Sequence, residues 1–177
     1  MNRSILTLGI VGGLALGAAV KKRGSLSADM TSTPAFRRWF GNSKVVDGAG
    51  RPLVVYHGTD AEFDVFDSTA TSKRWSRKGR LLGEGFYFTS DPRTAASYGN
   101  TVIAVYLRIE NPRTHGTDGR LSIPTDDQDG TIASGVPGTR RGELVFVVKS
   151  PTQIKSVENR GTFDPADSRI SYNRSTA

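Results

Sequence analysis

The sequence predicts an α+β domain on a mostly antiparallel sheet, from three observations. Strand-like runs outnumber helical patterns, several of those runs lie close together along the chain, and the helical patterns are short. A chain of 177 residues, 36% of them hydrophobic, fills one ordinary core and not comfortably two.

The elements follow in order. Ile5 to Val20, "ILTLGIVGGLALGAAV", carries no charge and is closed by Lys21, Lys22 and Arg23. As a helix it spans roughly 24 Å, short of the ~30 Å hydrocarbon core of a bilayer. Its charge follows the apolar run rather than preceding it, which favours an anchor with a cytoplasmic downstream domain over a cleaved signal. A segment buried in a partner protein or in an oligomer of N-terminal helices is the other reading. Residues 24–33 are small and polar and read as a linker.

Thr33 and Pro34 then open a helix whose apolar face is Phe36, Trp39 and Phe40, stopped by Gly41. "DGAGRP" at 47–52 is a turn feeding the strand "LVVYHG". The basic stretch 69–80 leads into a second strand within "LLGEGFYFTS", and "DPRTAASYG" reads as a short helix from Asp91 and Pro92 to Gly99. "TVIAVYLRIENP" is a long strand, His115 to Arg141 a long irregular surface loop, and "ELVFVV" with "SPTQIKSV" closes the core. This divides the chain into an N-terminal helix at 1–23, a linker at 24–33, the folded domain at 34–167 and a polar tail at 168–177.

Composition narrows the chemistry. There is no cysteine, which removes disulfides, thiolate metal sites and cysteine nucleophiles. The two histidines, His57 and His115, stand in no metal-binding pattern, so no metal is expected. The net charge of +7 is concentrated at the N-terminus and at Lys73, Arg74, Arg77, Lys78 and Arg80. Such a cluster is either a solvated loop or a contact for a polyanion: nucleic acid, anionic lipid or a phosphate-rich ligand.

Three features stand at strand ends: "YHGT" at 56–59, "GEGFYFTSDPRTAASY" at 83–98, and "GELVFVV" opening with Glu143. Each alone has an ordinary structural explanation: an aimed or buried imidazole, half-buried tyrosines, a solvated glutamate. In this order they resemble the ADP-ribosyltransferases of the His-Tyr-Glu branch, which includes diphtheria toxin and the poly(ADP-ribose) polymerases. "FRRWFGNSKVVDGAGRPLVVYHGT" and "VVKSPTQIKSVENRGTFDP" are similar to domains of this family in phage and mobile-element polyproteins. The resemblance covers roughly Thr33 to Asp167.

The resemblance implies a split antiparallel sheet with short helices and NAD as co-substrate. His57 is then expected to donate to a hydroxyl of the adenine-side ribose, Gly58 to pair its backbone with the nicotinamide carboxamide, and Thr59 to add a hydroxyl contact. Tyr87 and Tyr98 would enclose the nicotinamide ring by stacking and cation–π attraction. Glu143 is the candidate catalytic carboxylate, beside an oxocarbenium-like ribose. Arg141, two residues before it, departs from the Glu or Gln of arginine-modifying relatives and argues against that acceptor. The function implied is mono-ADP-ribosylation of a protein or nucleic acid, by a membrane-associated or virion-delivered effector. A fold without turnover, serving as a virion or membrane-inserting protein, is the contrasting reading, and hydrolysis of NAD by water a third.

Overall fold

The structure, a computed structural model, describes residues 29–67, 82–115, 125–160 and 163–171. The expected N-terminal apolar helix and the basic stretch 69–80 lie outside the described residues. Among the residues described, no helix is long and apolar enough to cross a membrane.

Helix α1, Pro34–Phe40, begins as its sequence dictates: the Thr33 side chain accepts from the Phe36 amide, proline occupies the first turn, and Gly41 ends the helix at φ 55°. Its aromatic face is a small core of its own, in which Phe36, Trp39 and Phe40 pack with Phe163 and Tyr106. The Trp39 indole N–H donates to the Thr152 carbonyl, satisfying a polar atom that burial in this cluster would otherwise strand.

The strands are β1 (Val55–Thr59), β2 (Phe86–Thr89), β3 (Thr101–Leu107), β4 (Pro112–His115), β5 (Gly130–Ser134), β6 (Leu144–Val148) and β7 (Ile154–Ser156). They form one seven-stranded sheet in the order β4-β5-β6-β2-β1-β3-β7. Every pairing is antiparallel except β4 with β5. One join within this sheet is a seam. β1 pairs with β3 along all five of its residues but meets β2 at the single pair Tyr56↔Thr89.

Strand alternation sorts the side chains. Val55, Phe86, Phe88, Val105, Leu107, Phe146 and Val148 point to one face and build the main core with Phe66 and Ile170. Val145 and Val147 point to the other, with Leu82, Ala133 and Tyr87. The short helix α2, Pro92–Ala95, packs against β1 and β2.

Three expectations need correction. The stretch expected as an irregular loop contains regular structure in its described residues: His115 ends β4, and "GTIAS" forms β5, paired along its whole length with β6. Only Ile132 among the β5 side chains is a large hydrophobe, so no apolar run marks the strand; its register against β6 makes it. Helix α2 stops at Ala95 rather than continuing to Gly99, because Gly99 packs directly on the Thr59 backbone. The packed chain also runs past Asp167. Ile170 is buried in the main core, its amide donating to the Asp64 carbonyl, and Arg169 bridges to Val65. Buried Lys155 ties this segment down, its Nζ donating to the carbonyls of Asp167 and Arg169 at 2.6 and 2.9 Å.

Candidate active site

The site is built at the β1–β2 seam. His57 follows Val55 on the core face of β1, where its ring meets Phe66 at 5.0 Å and Phe88 at 5.5 Å between centroids. Its Nδ1 lies 2.8 Å from the Tyr87 carbonyl oxygen. A carbonyl only accepts, so Nδ1 carries the proton. The imidazole thus supplies a cross-strand link where the two backbones have ceased to pair. Burial among the rings holds its pKa below the usual histidine value, partly opposed by the bond to Tyr87. In the neutral ring that results, Nε2 is an acceptor. A hydroxyl meeting this nitrogen would donate to it.

The other face of the seam holds the remaining candidates. Tyr87 and Thr89 alternate away from Phe86 and Phe88, and Tyr87 packs on the Leu82, Val145 and Val147 cluster with its hydroxyl donating to the Gly83 carbonyl at 2.6 Å. Glu143 shares the parity of Val145 and Val147 and is 4% exposed, so it is not the solvated glutamate that the start of a strand usually carries. Its Oε1 accepts from the Thr89 hydroxyl at 2.5 Å; its Oε2 accepts from the Thr94 hydroxyl at 3.1 Å and the Arg140 amide at 2.7 Å. A carboxylate offers about four acceptor positions. With three filled by the protein, the carboxylate is rigidly held and keeps one lone pair, on Oε1.

Helix α2 covers this face. Its capping residue Asp91 accepts from the Arg93 amide and guanidinium and from Arg140 Nη1 at 3.1 Å. The Arg93 hydrogen bonds, with the charge of Arg140 adding to them, hold the Asp91 carboxyl well below the usual carboxylate range. Gly58 sits beneath the helix's last turn. A Cβ there would overlap the Ala95 carbonyl and reach Tyr98 Cβ at 3.2 Å. In this structure, then, the glycine is demanded by the helix lying on the strand. Tyr98 follows in the turn after α2, 59% exposed, and Thr59 is covered by Gly99.

Gly58, Tyr87, Tyr98 and Glu143 are thus gathered on one face around α2, while the His57 ring lies on the opposite face and joins them through its bond across the seam. Sequence reasoning missed Thr89, Thr94, Asp91 and Arg140. Thr89 was within reach, since two residues after Tyr87 on a strand means the same face. Arg140 was not, because its position depends on a turn through Gly135, Gly138 and Gly142, all at positive φ.

The arrangement offers a buried, oriented carboxylate, an accepting imidazole, an exposed aromatic face at Tyr98, and, from His57 to Thr59, a strand edge that β2 does not pair. These are groups able to take hydroxyls, a flat heterocycle and an amide. No curated protein matches the chain closely enough to count as a relative. The family described as ADP-ribosyltransferase in polyvalent proteins matches residues 47–129, a span that contains His57, Gly58, Thr59, Tyr87 and Tyr98 and ends before Glu143. With the mixed seven-stranded sheet and its few short helices, that match supports an ADP-ribosyltransferase family, close to the domains of polyvalent proteins.

Proposed function

We propose that the protein transfers a single ADP-ribose from NAD to a macromolecular acceptor and releases nicotinamide. The observation that carries this reading is Glu143: a carboxylate buried at the sheet seam, held by three donors and keeping one lone pair on Oε1. Retaining a buried carboxylate is costly unless its charge is used or fully paired. Here the pairing is one bond short.

In the reaction, the bond between nicotinamide and ribose C1′ breaks, and its electron pair leaves with nicotinamide. Glu143 Oε1 accepts from the ribose 2′-hydroxyl and sets negative charge beside the carbon where positive charge develops. The acceptor attacks that carbon and gives up its proton to solvent. Neutral His57 accepts from a hydroxyl of the other ribose through Nε2, Gly58 offers its backbone to the carboxamide, and Tyr87 and Tyr98 present their rings to the nicotinamide. Thr59 adds its hydroxyl at the same strand end. The rim before Glu143 carries Arg141, which is exposed and repels a guanidinium acceptor.

The apolar run 5–20 suits delivery to, or anchoring at, a membrane, in keeping with an effector carried by a phage or mobile element. The contrasting reading, a fold without turnover that serves as a virion or membrane-inserting part, draws on the same apolar run. Incubating the full chain with labelled NAD and with protein, RNA and DNA acceptors separates the readings. Transfer of label to one class with equimolar nicotinamide release is expected. Release without transfer would make the protein an NAD hydrolase, and no release with any acceptor would leave the structural reading in its place.

A further inference from the structure

Around Glu143, one side chain governs more of the carboxylate's surroundings than any other without touching it. The Arg140 guanidinium donates from the same nitrogen, Nη1, to Asp91 Oδ2 at 3.1 Å and to Thr94 Oγ1 at 3.0 Å. Its backbone amide donates to Glu143 Oε2 at 2.7 Å. A threonine hydroxyl has one proton and two lone pairs, and a guanidinium can only donate. Because Arg140 occupies a lone pair of Thr94, the hydroxyl proton is directed to Glu143 Oε2. Two of the three donors to the carboxylate therefore depend on Arg140, one through its backbone and one through the threonine it polarises. Asp91 completes the arrangement. It fixes the guanidinium to the start of α2 and balances its charge, and in doing so pins the glycine-rich turn 135–142 that delivers the Arg140 amide.

We infer that Arg140 is a positioning residue for Glu143: anchored to Asp91 and Thr94, it fills one acceptor position of Oε2 with its own amide and aims the Thr94 hydroxyl at the other, leaving Oε1 as the oxygen that meets the substrate hydroxyl. This rests on the transferase reading above and assigns to Arg140 a part that its sequence position, in a polar turn, does not reveal. A misplacement of about 1 Å in such a group costs on the order of a hundredfold in rate.

The test is steady-state nicotinamide release by the full chain, comparing wild type with Arg140→Ala, Arg140→Lys and Glu143→Gln. For Arg140→Ala, kcat is expected to fall about tenfold to a hundredfold, with KM for NAD within about twofold of wild type. Arg140→Lys keeps the charge but loses the rigid planar guanidinium, so it should recover part of the loss. The Arg140 side chain is 52% exposed, so thermal unfolding should stay close to wild type in both variants. A role in fold stability alone would instead lower the unfolding temperature and leave kcat per folded molecule unchanged, which overturns the assignment. So does a raised KM at unchanged kcat, which would make Arg140 a binding group. If Glu143→Gln is inactive while both Arg140 variants run at wild-type speed, only the positioning role fails. If wild type is no faster than Glu143→Gln, the proposed function fails and this role with it.

Discussion

Replacing Gly58 by alanine tests how tightly helix α2 rests on strand β1. The added Cβ would stand 2.7 Å from the Ala95 carbonyl carbon and nearer still to its oxygen, with Tyr98 Cβ at 3.2 Å. Carbon atoms ordinarily meet at about 3.5 Å or more, so the last turn of α2 must lift by roughly 1 Å. The obstructing atoms are backbone and cannot swing aside as a flexible side chain would. Overpacking of this kind costs about 2–3 kcal/mol, equivalent to a fall of roughly 5–10 °C in Tm for a chain of this size. The displacement also reaches the chemistry, since Ala95 follows Thr94, whose hydroxyl donates to Glu143. Thermal unfolding by circular dichroism is the assay, with Gly48→Ala as control; a Cβ at Gly48 meets nothing within 4 Å. The control should lie within about 0.5 kcal/mol of wild type. A Gly58→Ala protein as stable as the control would refute the close contact and, with it, the structural reason for that glycine.

Gly85→Ala should be comparably destabilised, because Gly85 has φ 146° and a Cβ there would overlap the Val148 carbonyl and reach Val147 Cγ1 at 2.8 Å; chemical denaturation reads the loss. His57 should titrate below its ordinary value of 6.5 by NMR. The unfolded chain then binds a proton that the folded ring refuses, so the His57 contribution is complete above the unfolded value and is lost as pH falls from there through the folded pKa. The slope of stability against pH over that window should flatten in His57→Gln, and an unchanged slope would count against the buried neutral ring. Lys155→Met leaves the carbonyls of Asp167 and Arg169 without their donor, at a cost of about 1–3 kcal/mol. Amide exchange at Ile170 should accelerate in that variant, and protection equal to wild type would show that Lys155 does not hold the segment.

Much of the fold was legible because local signals and tertiary demands agree. Thr33-Pro34 starts a helix and Gly41 stops it, and apolar runs become β1, β2, β3 and β6. Strand β5 was not legible, since "GTIAS" is held by its neighbours rather than by its own residues. In the site, the order of histidine, tyrosines and glutamate could be read, whereas their faces could not. Parity places Glu143 with Tyr87, but only the seam between β1 and β2 explains why His57 can stand on the opposite face and still bond to Tyr87. The donors to Glu143 come from three separate segments, at Thr89, Thr94 and Arg140, so no single stretch of sequence contains them.

Glu143→Gln tests the central claim most directly. The amide is isosteric: its oxygen can accept from Arg140 at the Oε2 position while its nitrogen donates to Thr89, so the site should keep its shape. Calorimetric NAD affinity and nicotinamide release should be measured on the same samples of wild type and variant. The account predicts nearly equal affinity and a turnover lower by about 10²–10³, the loss of one electrostatic group aimed at developing charge. Turnover within a few-fold of wild type, at equal affinity, would contradict it, because the buried carboxylate would then be an element of structure alone.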